Sequence, residues 1–170
     1  SIPHPFDMEL RDATPADVPQ IRRVAEASWT AAYAAFLTPG QCRRALDDLY
    51  DTESLERVIE DLDDFHLLVA ESESEVVGFA SAEQTWADEA ELYALYICPD
   101  YWQMGIGSAL LDAIVDLVHR DGVERLACSV FIKNYAGVGF FEAKGFKRLG
   151  ETVTDVAGSV HEEYELERRL

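Results

Sequence analysis

Residues 91–108 read ELYALYICPDYWQMGIGS, and this stretch decides the fold. Its first half, 92–97, is rich in residues that favour strands and ends before Pro99, which has no N–H to continue a ladder. Its second half closes on Gly105 and Gly107. Apolar residues then recur at helical spacing as far as Gly122, a residue typical of a helix end. The pattern predicts a strand, a glycine loop and a helix in succession.

The join between this strand and helix favours a phosphate ligand. Glycines let a ligand approach the backbone closely, and the first turn of a helix leaves N–H groups unpaired at the positive end of its dipole. The alternative is a tight turn that binds nothing, since two glycines alone are weak evidence. Leu110 stands where a dinucleotide fingerprint needs a third small residue, and no Gly-Lys-Ser/Thr occurs, so the two best-known phosphate motifs are excluded.

The flanking segments give the order of the remaining elements. Helices are predicted after the cap Thr14, after Pro39 and Gly40, and over residues 52–61 and 134–144, besides the helix that follows the loop. The segments with strand patterns are 8–11, 65–70, 76–82, 92–97, 125–130, 146–153 and 160–166. The strands first pair locally and then alternate with helices. This order predicts one α+β domain over residues 1–170, with parallel strands near the glycine loop.

The charge balance excludes one class of partner. The chain has 14 basic and 33 acidic residues and a formal net charge of −19, so we expect no binding to nucleic acid, which requires a basic face. Its only lysines are Lys133, Lys144 and Lys147. An acidic surface is commonly just a solvated one. This excess of acid also suggests a halophilic protein from a salty cytoplasm, in which the Debye length falls to roughly 3 Å at 1 M salt.

Cysteine and histidine spacing gives no indication of a metal site. Cys42, Cys98 and Cys128 fit no ligand spacing and form no even set, which is typical of reduced cytoplasmic thiols. The four histidines lie far apart in sequence. No apolar run reaches membrane-spanning length, and residues 1–6 lack the pattern of a signal peptide. We therefore expect a soluble cytoplasmic protein without metal or membrane contact.

Two blocks carry a family resemblance. The run 92–99, followed by Gly105-Ile106-Gly107 and an apolar helix, resembles motif A of the GCN5-related N-acetyltransferases, the GNAT family. Val130 and Asn134, followed by residues 140–146 (FFEAKGF), resemble motif B at its usual spacing. Residues 11–17 and 28–33 are similar to the amino-terminal region of the family. The implied fold is a mixed sheet of six to seven strands flanked by about four helices.

The resemblance implies that acetyl-coenzyme A is the acyl donor. Its pyrophosphate would bind main-chain N–H groups of the glycine loop, and its pantetheine arm would pair with the central strand. Motif B would complete the site, with Asn134 orienting a pantetheine amide. The implied donor-binding residues are Leu95, Tyr96, Ile97, Gln103, Met104, Gly105, Ile106, Gly107, Ser108, Asn134, Phe140, Phe141 and Lys144.

The acceptor would be a primary amine on a small molecule, a peptide or a protein, and the resemblance leaves a homodimer open. The main chain of Tyr96 or Ile97 would hold the oxyanion, which makes Tyr96 a catalytic candidate. Glu91 is the first candidate for the base that deprotonates the amine, although a solvated acid at the start of a strand is the alternative; Glu89 and Glu83 are reserves. Trp29 and Tyr33 would border the acceptor pocket, or form part of an ordinary core stripe.

Two positions depart from the family pattern. Trp102 replaces the Arg or Gln that usually begins the loop, which main-chain phosphate contacts can tolerate. Phe141 occupies the position of a Tyr that often protonates the departing thiolate, and Phe has no proton to give. Tyr135 lies six residues earlier and points elsewhere on a helix. Phe141 therefore favours a second interpretation, a catalytically silent module that binds acyl-coenzyme A.

Overall fold

The computed structural model describes residues 8–61 and 63–170. One of the four histidines, His4, and residues 1–6, where no signal peptide is expected, lie outside the described residues. Within them, seven strands and five α-helices form. The strands are β1 (Met8–Asp12), β2 (Phe65–Ser72), β3 (Glu75–Trp86), β4 (Glu89–Ile97), β5 (Arg125–Phe131), β6 (Lys147–Val156) and β7 (Ser159–Arg169). The helices are α1 (Val18–Ala32), α2 (Pro39–Leu49), α3 (Thr52–Glu60), α4 (Ile106–Arg120) and α5 (Tyr135–Ala143).

The strands form one mixed sheet in the order β1-β2-β3-β4-β5-β7-β6. β4 and β5 pair in parallel, and every other neighbouring pair is antiparallel. A parallel neighbour requires a crossover, which the loop and α4 supply. The α+β prediction, with a parallel pair beside the glycine loop, is confirmed.

The helices cover the two faces of this sheet with separate cores. Val18, Ile21, Ala25 and Trp29 of α1 are all buried, as their spacing predicts, in the first core, which contains Phe79 and Ala94 of the sheet. The second core is on the opposite face and is formed mainly by α4, with Leu110, Leu111, Ile114 and Val118 packed on Ala90, Leu92 and Leu126. The face of the sheet on which a side chain lies therefore determines which helices it contacts.

A bulge in β4 prepares the functional site. Ser81 of β3 is opposite Ala94 and Ala82 is opposite Leu92, so Tyr93 has no partner. Beyond this point β4 leaves β5, because their parallel pairing ends at Leu92 and Cys128 although both strands continue. A bulge bends a strand and increases its twist. The result is an opening between residues 93–97 and 129–131 in the middle of the sheet.

Candidate active site

The opening between β4 and β5 is part of a cleft of about 1110 Å³. Its floor is formed by the diverging strands, one end by the glycine loop, and the other walls by α1, α2, α3, α5 and the tip of the β6–β7 hairpin. Most of the residues predicted for the donor site lie along it: Leu95, Tyr96, Ile97, Gln103, Gly105, Ile106, Gly107, Ser108, Asn134, Phe140 and Phe141. Trp29, Tyr33 and Glu91 also line it.

Two predicted donor residues are not part of the cleft wall. Met104 is partly buried and packs against the core beneath α4. Its apolar side chain has better contacts there than in a polar loop. The Lys144 ammonium lies 6.0 Å from the centre of the Phe140 ring, behind a residue that lines the cleft. The side chains of Met104 and Lys144 therefore do not enter the site.

The glycine loop has the backbone form needed at a helix start. Gly105 is the N-cap of α4 with a φ of +83°, a left-handed conformation that non-glycine residues rarely adopt. The Ala109 N–H makes the first helical bond, to the Gly105 carbonyl at 3.0 Å. The N–H groups of Ile106, Gly107 and Ser108 precede that bond and have no acceptor in the helix. Three donors at a helix N-terminus thus line the cleft.

The edge of β4 offers a second set of backbone groups. Gly78 is opposite Ile97, and the Cys98 N–H donates to the carbonyl of Val77 at 2.8 Å. In an antiparallel ladder, opposite residues alternately exchange hydrogen bonds and do not. The Tyr96 N–H is therefore directed at β3, whereas Leu95 and Ile97 direct their N–H and C=O groups into the cleft. Of the two amides suggested from the sequence, the ladder favours Ile97 over Tyr96, and it adds Leu95.

Trp102 closes part of this edge. Its indole N–H donates to the carbonyl of Ile97 at 2.7 Å, although the side chain is 42% exposed. The carbonyl is one of the cleft-facing groups just described. An incoming extended chain would compete with the indole for it.

Aromatic side chains form the wall on the α1 side of the cleft. The Tyr33 ring centre lies 5.1 Å from that of Trp29 and 5.0 Å from that of Phe131. Tyr96 is 6.1 Å from Trp29 and 6.4 Å from Tyr50. Burial raises the pKa of Tyr96, and the polar groups of Trp29, Tyr50 and Tyr33 oppose that rise. Trp29 and Tyr33 therefore belong both to the core and to the wall, and Tyr50, which the sequence analysis did not single out, joins them.

Of the residues that the structure describes, the charged ones that line the cleft are all acidic: Asp48, Glu91, Asp155 and Glu163. Glu91 and Glu163 are half-buried, and neither forms a hydrogen bond or ion pair with the described residues. Burial, followed by the charges of Glu89, Glu165 and Glu83, raises the pKa of Glu91. Burial, followed by the charges of Glu165 and Glu91, raises the pKa of Glu163. Two unpaired carboxylates thus face the same cleft.

The two reserve bases are tied elsewhere. Glu83 accepts a hydrogen bond from the Tyr93 hydroxyl at 2.8 Å, and the Glu89 carboxylate lies 3.6 Å from the Arg125 guanidinium. Neither lines the cleft. Glu91 is thus the better placed of the three acids.

Motif B packs on the other side of the opening. The Asn134 side chain caps α5, since its Oδ1 accepts from the Gly137 N–H at 3.1 Å. Phe141 is 9% exposed and packs edge-on against Phe140 and Phe146, each at 5.2 Å between ring centres. Tyr135 is 79% exposed and does not line the cleft. No hydroxyl of α5 therefore replaces the one missing at Phe141.

A statistical model of the Acetyltransferase (GNAT) family matches residues 25–146, a span that contains the glycine loop and motif B. The chain belongs to the GNAT family. The family resemblance and the fold inferred from the two motifs are both confirmed.

The chain is similar to several named N-acetyltransferases. Spermidine N(1)-acetyltransferase of Thermoplasma acidophilum is 26% identical over 159 residues, 91% of this chain and 94% of the relative. The crystal structure of PaiA N-acetyltransferase from T. acidophilum in complex with coenzyme A is 25% identical and superposes with a TM-score of 0.85, covering 96% of this chain and 99% of that one. The [ribosomal protein bS18]-alanine N-acetyltransferase of Escherichia coli K12 is 36% identical over 63 residues, only 43% of its length.

Residues 8–61 and 63–170 contain no group of three or more His, Cys, Asp or Glu side chains arranged to hold a metal ion. None of the helices in this part of the chain is both long and apolar enough to cross a membrane.

Proposed function

We propose that this GNAT protein transfers the acetyl group of acetyl-coenzyme A directly to a primary amine of a cationic, polyamine-type acceptor. The observation that carries the choice of acceptor is the charge of the cleft. Among the described residues, its four charged lining residues are acidic, and no Lys, Arg or His lines it. Such a cleft attracts an alkylammonium ion and repels a carboxylate. The spermidine-acetylating relative, which aligns over 91% of this chain, supports the same class.

The donor site rests on two sets of backbone groups that face the cleft. The pyrophosphate of the donor would be held by the N–H groups of Ile106, Gly107 and Ser108, and the pantetheine arm by the cleft edge of Leu95 and Ile97. Because Ile97 is nearer to the loop, the thioester end of an extended donor reaches Leu95 last. The Leu95 N–H is therefore our choice to hold the oxyanion. Coenzyme A in the related crystal structure supports this donor.

Glu91 would act as the base for the attacking amine. Its raised pKa makes the carboxylate more basic than an exposed one. The proton passes from the ammonium to Glu91, directly or through water, and the free amine forms an N–C bond to the carbonyl carbon. The oxyanion then re-forms the carbonyl as the C–S bond breaks, the nitrogen loses its extra proton to water, and the thiolate takes a proton from water because Phe141 cannot supply one. A thiol pKa of roughly 8.5 makes this departure tolerable without an acid.

A catalytically silent module that binds acyl-coenzyme A is the second candidate, and Phe141 favours it. A panel of amines separates the two. Spermidine, 1,6-diaminohexane, hexylamine, a peptide with an N-terminal alanine and free alanine would each be incubated with acetyl-coenzyme A, with thiol release and product mass as readouts. We expect the diamine and spermidine to react best and free alanine least. A protein that binds coenzyme A but acetylates none of them would refute the transferase.

The base is tested by the pH profile of Glu91→Gln, which keeps the shape of the side chain and removes its basicity. We expect turnover to fall by roughly 10²–10⁴-fold. The profile of the parent should decline on the acid side as Glu91 becomes protonated, and that limb should vanish in the variant. Full turnover in Glu91→Gln, with the same rise towards alkaline pH as the parent, would remove Glu91 from the mechanism.

A salt-adapted, cytoplasmic setting without nucleic-acid partners is part of the proposal. Cys42, Cys98 and Cys128 are free thiols, which supports a reducing compartment. The net charge of −19 supports both adaptation to salt and the lack of affinity for nucleic acid.

A further inference from the structure

Glu163 is a cleft carboxylate for which the proposed reaction has no use. It lies on β7, opposite Phe131 of β5 and Thr152 of β6. Leu166, three residues later in β7, belongs to the core under α4. Because side chains alternate between the two faces of a strand, Glu163 is directed to the opposite face, the one that Phe131 and α1 share. It is half-buried without an ion-pair partner among the described residues. A desolvated, unpaired carboxylate is costly to keep unless it has a ligand.

The register separates Glu163 from Glu91. Glu91 is level with Ala127 of β5, whereas Glu163 is level with Phe131, four residues further along the same strand. At about 3.3 Å per residue, the two positions are offset by on the order of 13 Å along the strands. Both side chains line one cleft. A single extended acceptor can therefore meet both carboxylates.

The surroundings of Glu163 suit an alkylammonium group. Phe131, its ladder partner, packs edge-on against Tyr33 at 5.0 Å and Phe36 at 5.4 Å between ring centres. Aromatic faces together with a carboxylate are a typical environment for an organic cation. Asp155, the cleft-lining acid nearest to Glu163 in sequence, already has a hydrogen-bond partner, because its Oδ1 accepts from the Gly158 N–H at 3.0 Å.

We propose that Glu163 is a specificity residue that binds a second ammonium group of the acceptor while a first amine reacts beside Glu91. The inference rests on the proposed function and refines it. The favoured acceptor is then a diamine or polyamine, because a monoamine can occupy the reacting end but leaves Glu163 without a partner.

The test compares 1,6-diaminohexane with hexylamine, which has the same chain length and lacks the second amine, in the parent and in Glu163→Gln. Glu162→Gln is the matched control, since Glu162 is the adjacent residue of the same strand, is exposed and does not line the cleft. We expect Glu163→Gln to raise KM for the diamine about tenfold, about 1.4 kcal/mol, with kcat nearly unchanged. KM for hexylamine should stay as in the parent, and Glu162→Gln should leave the ratio of the two KM values unchanged.

Either of two kinetic results would overturn the proposal. Equal rises in KM for both amines would mean a general charge effect, and a large loss of kcat with both would make Glu163 a base. A parent that acetylates neither amine would refute the proposed function instead. In that case, calorimetry would measure the affinity of the diamine for the complex with coenzyme A. Equal diamine affinity in the parent and Glu163→Gln would refute the role of Glu163.

Discussion

Replacing Gly107 with alanine should weaken donor binding without damaging the fold. Gly107 lies in the first turn of α4 and lines the cleft. A Cβ built there would lie 3.7 Å from the Phe140 ring and 3.9 Å from Ile97, both ordinary van der Waals distances. The free protein therefore accommodates the methyl group, and alanine is the better helix former by up to about 1 kcal/mol. A phosphate oxygen, however, must come to about 2.9 Å from these amides, and the methyl group competes for that space.

The neighbouring Gly105 provides the contrast. A Cβ at Gly105 would meet no atom within 4 Å, but the φ of +83° costs an L-residue about 1–2 kcal/mol. Gly105→Ala should therefore lower the melting temperature. Gly107→Ala should keep or raise it and weaken coenzyme A binding at least tenfold, about 1.4 kcal/mol.

The assays are titration calorimetry with coenzyme A and thermal unfolding of both variants without ligand. Unchanged affinity in Gly107→Ala, at an unchanged melting temperature, would show that phosphate is not held at this turn. A melting temperature that falls more in Gly107→Ala than in Gly105→Ala would contradict the assignment of strain to Gly105.

Three further predictions concern the departures from the family pattern and the surface charge. Phe141→Tyr should raise turnover roughly tenfold with donor affinity unchanged, because the new phenol can protonate the thiolate; an unaltered kcat would mean that thiolate departure does not limit the rate. Trp102→Phe frees the Ile97 carbonyl and should tighten coenzyme A binding about threefold. The indole fluorescence of the parent should change when coenzyme A binds, and an unchanged spectrum would mean that the indole stays in place. The melting temperature should rise between millimolar and molar salt, and a flat or falling curve would count against a halophilic protein.

Local signals were sufficient for the frame of the site. Pro99, Gly105 and Gly107 act within a few residues of themselves, so the strand, loop and helix could be read directly from residues 91–108. The burial of Ile21 and Trp29 likewise follows from spacing along one helix. Glu91 could be named because it belongs to the same stretch.

The parts of the site that sequence patterns do not reveal depend on pairing between distant segments. Glu163 reaches the cleft only through its register opposite Phe131, and Tyr50 only through the packing of α2 beside Phe79, 5.9 Å away between ring centres. The direction of the Tyr96 amide depends on whether its ladder position is a hydrogen-bonded one, which nothing in residues 91–108 specifies. The loop pattern also does not reveal that the Met104 side chain turns into the core, and the contact of its main chain with the donor stays a prediction.

The bulge at Tyr93 explains how one strand contributes to both the proposed donor site and the proposed acceptor site. In a regular strand Glu91 and Tyr96, five residues apart, would point to opposite faces of the sheet. Ala90 and Leu92 belong to the α4 core, and after the unpaired Tyr93 it is Leu95 and Ile97 that face that core, while Ala94 and Tyr96 face α1. The extra residue therefore brings Glu91 and Tyr96 onto one face. The same residue marks the point where β4 leaves β5 and its edge amides become free. One inserted position thus opens the groove for the donor and aligns the proposed base with the aromatic wall of the acceptor.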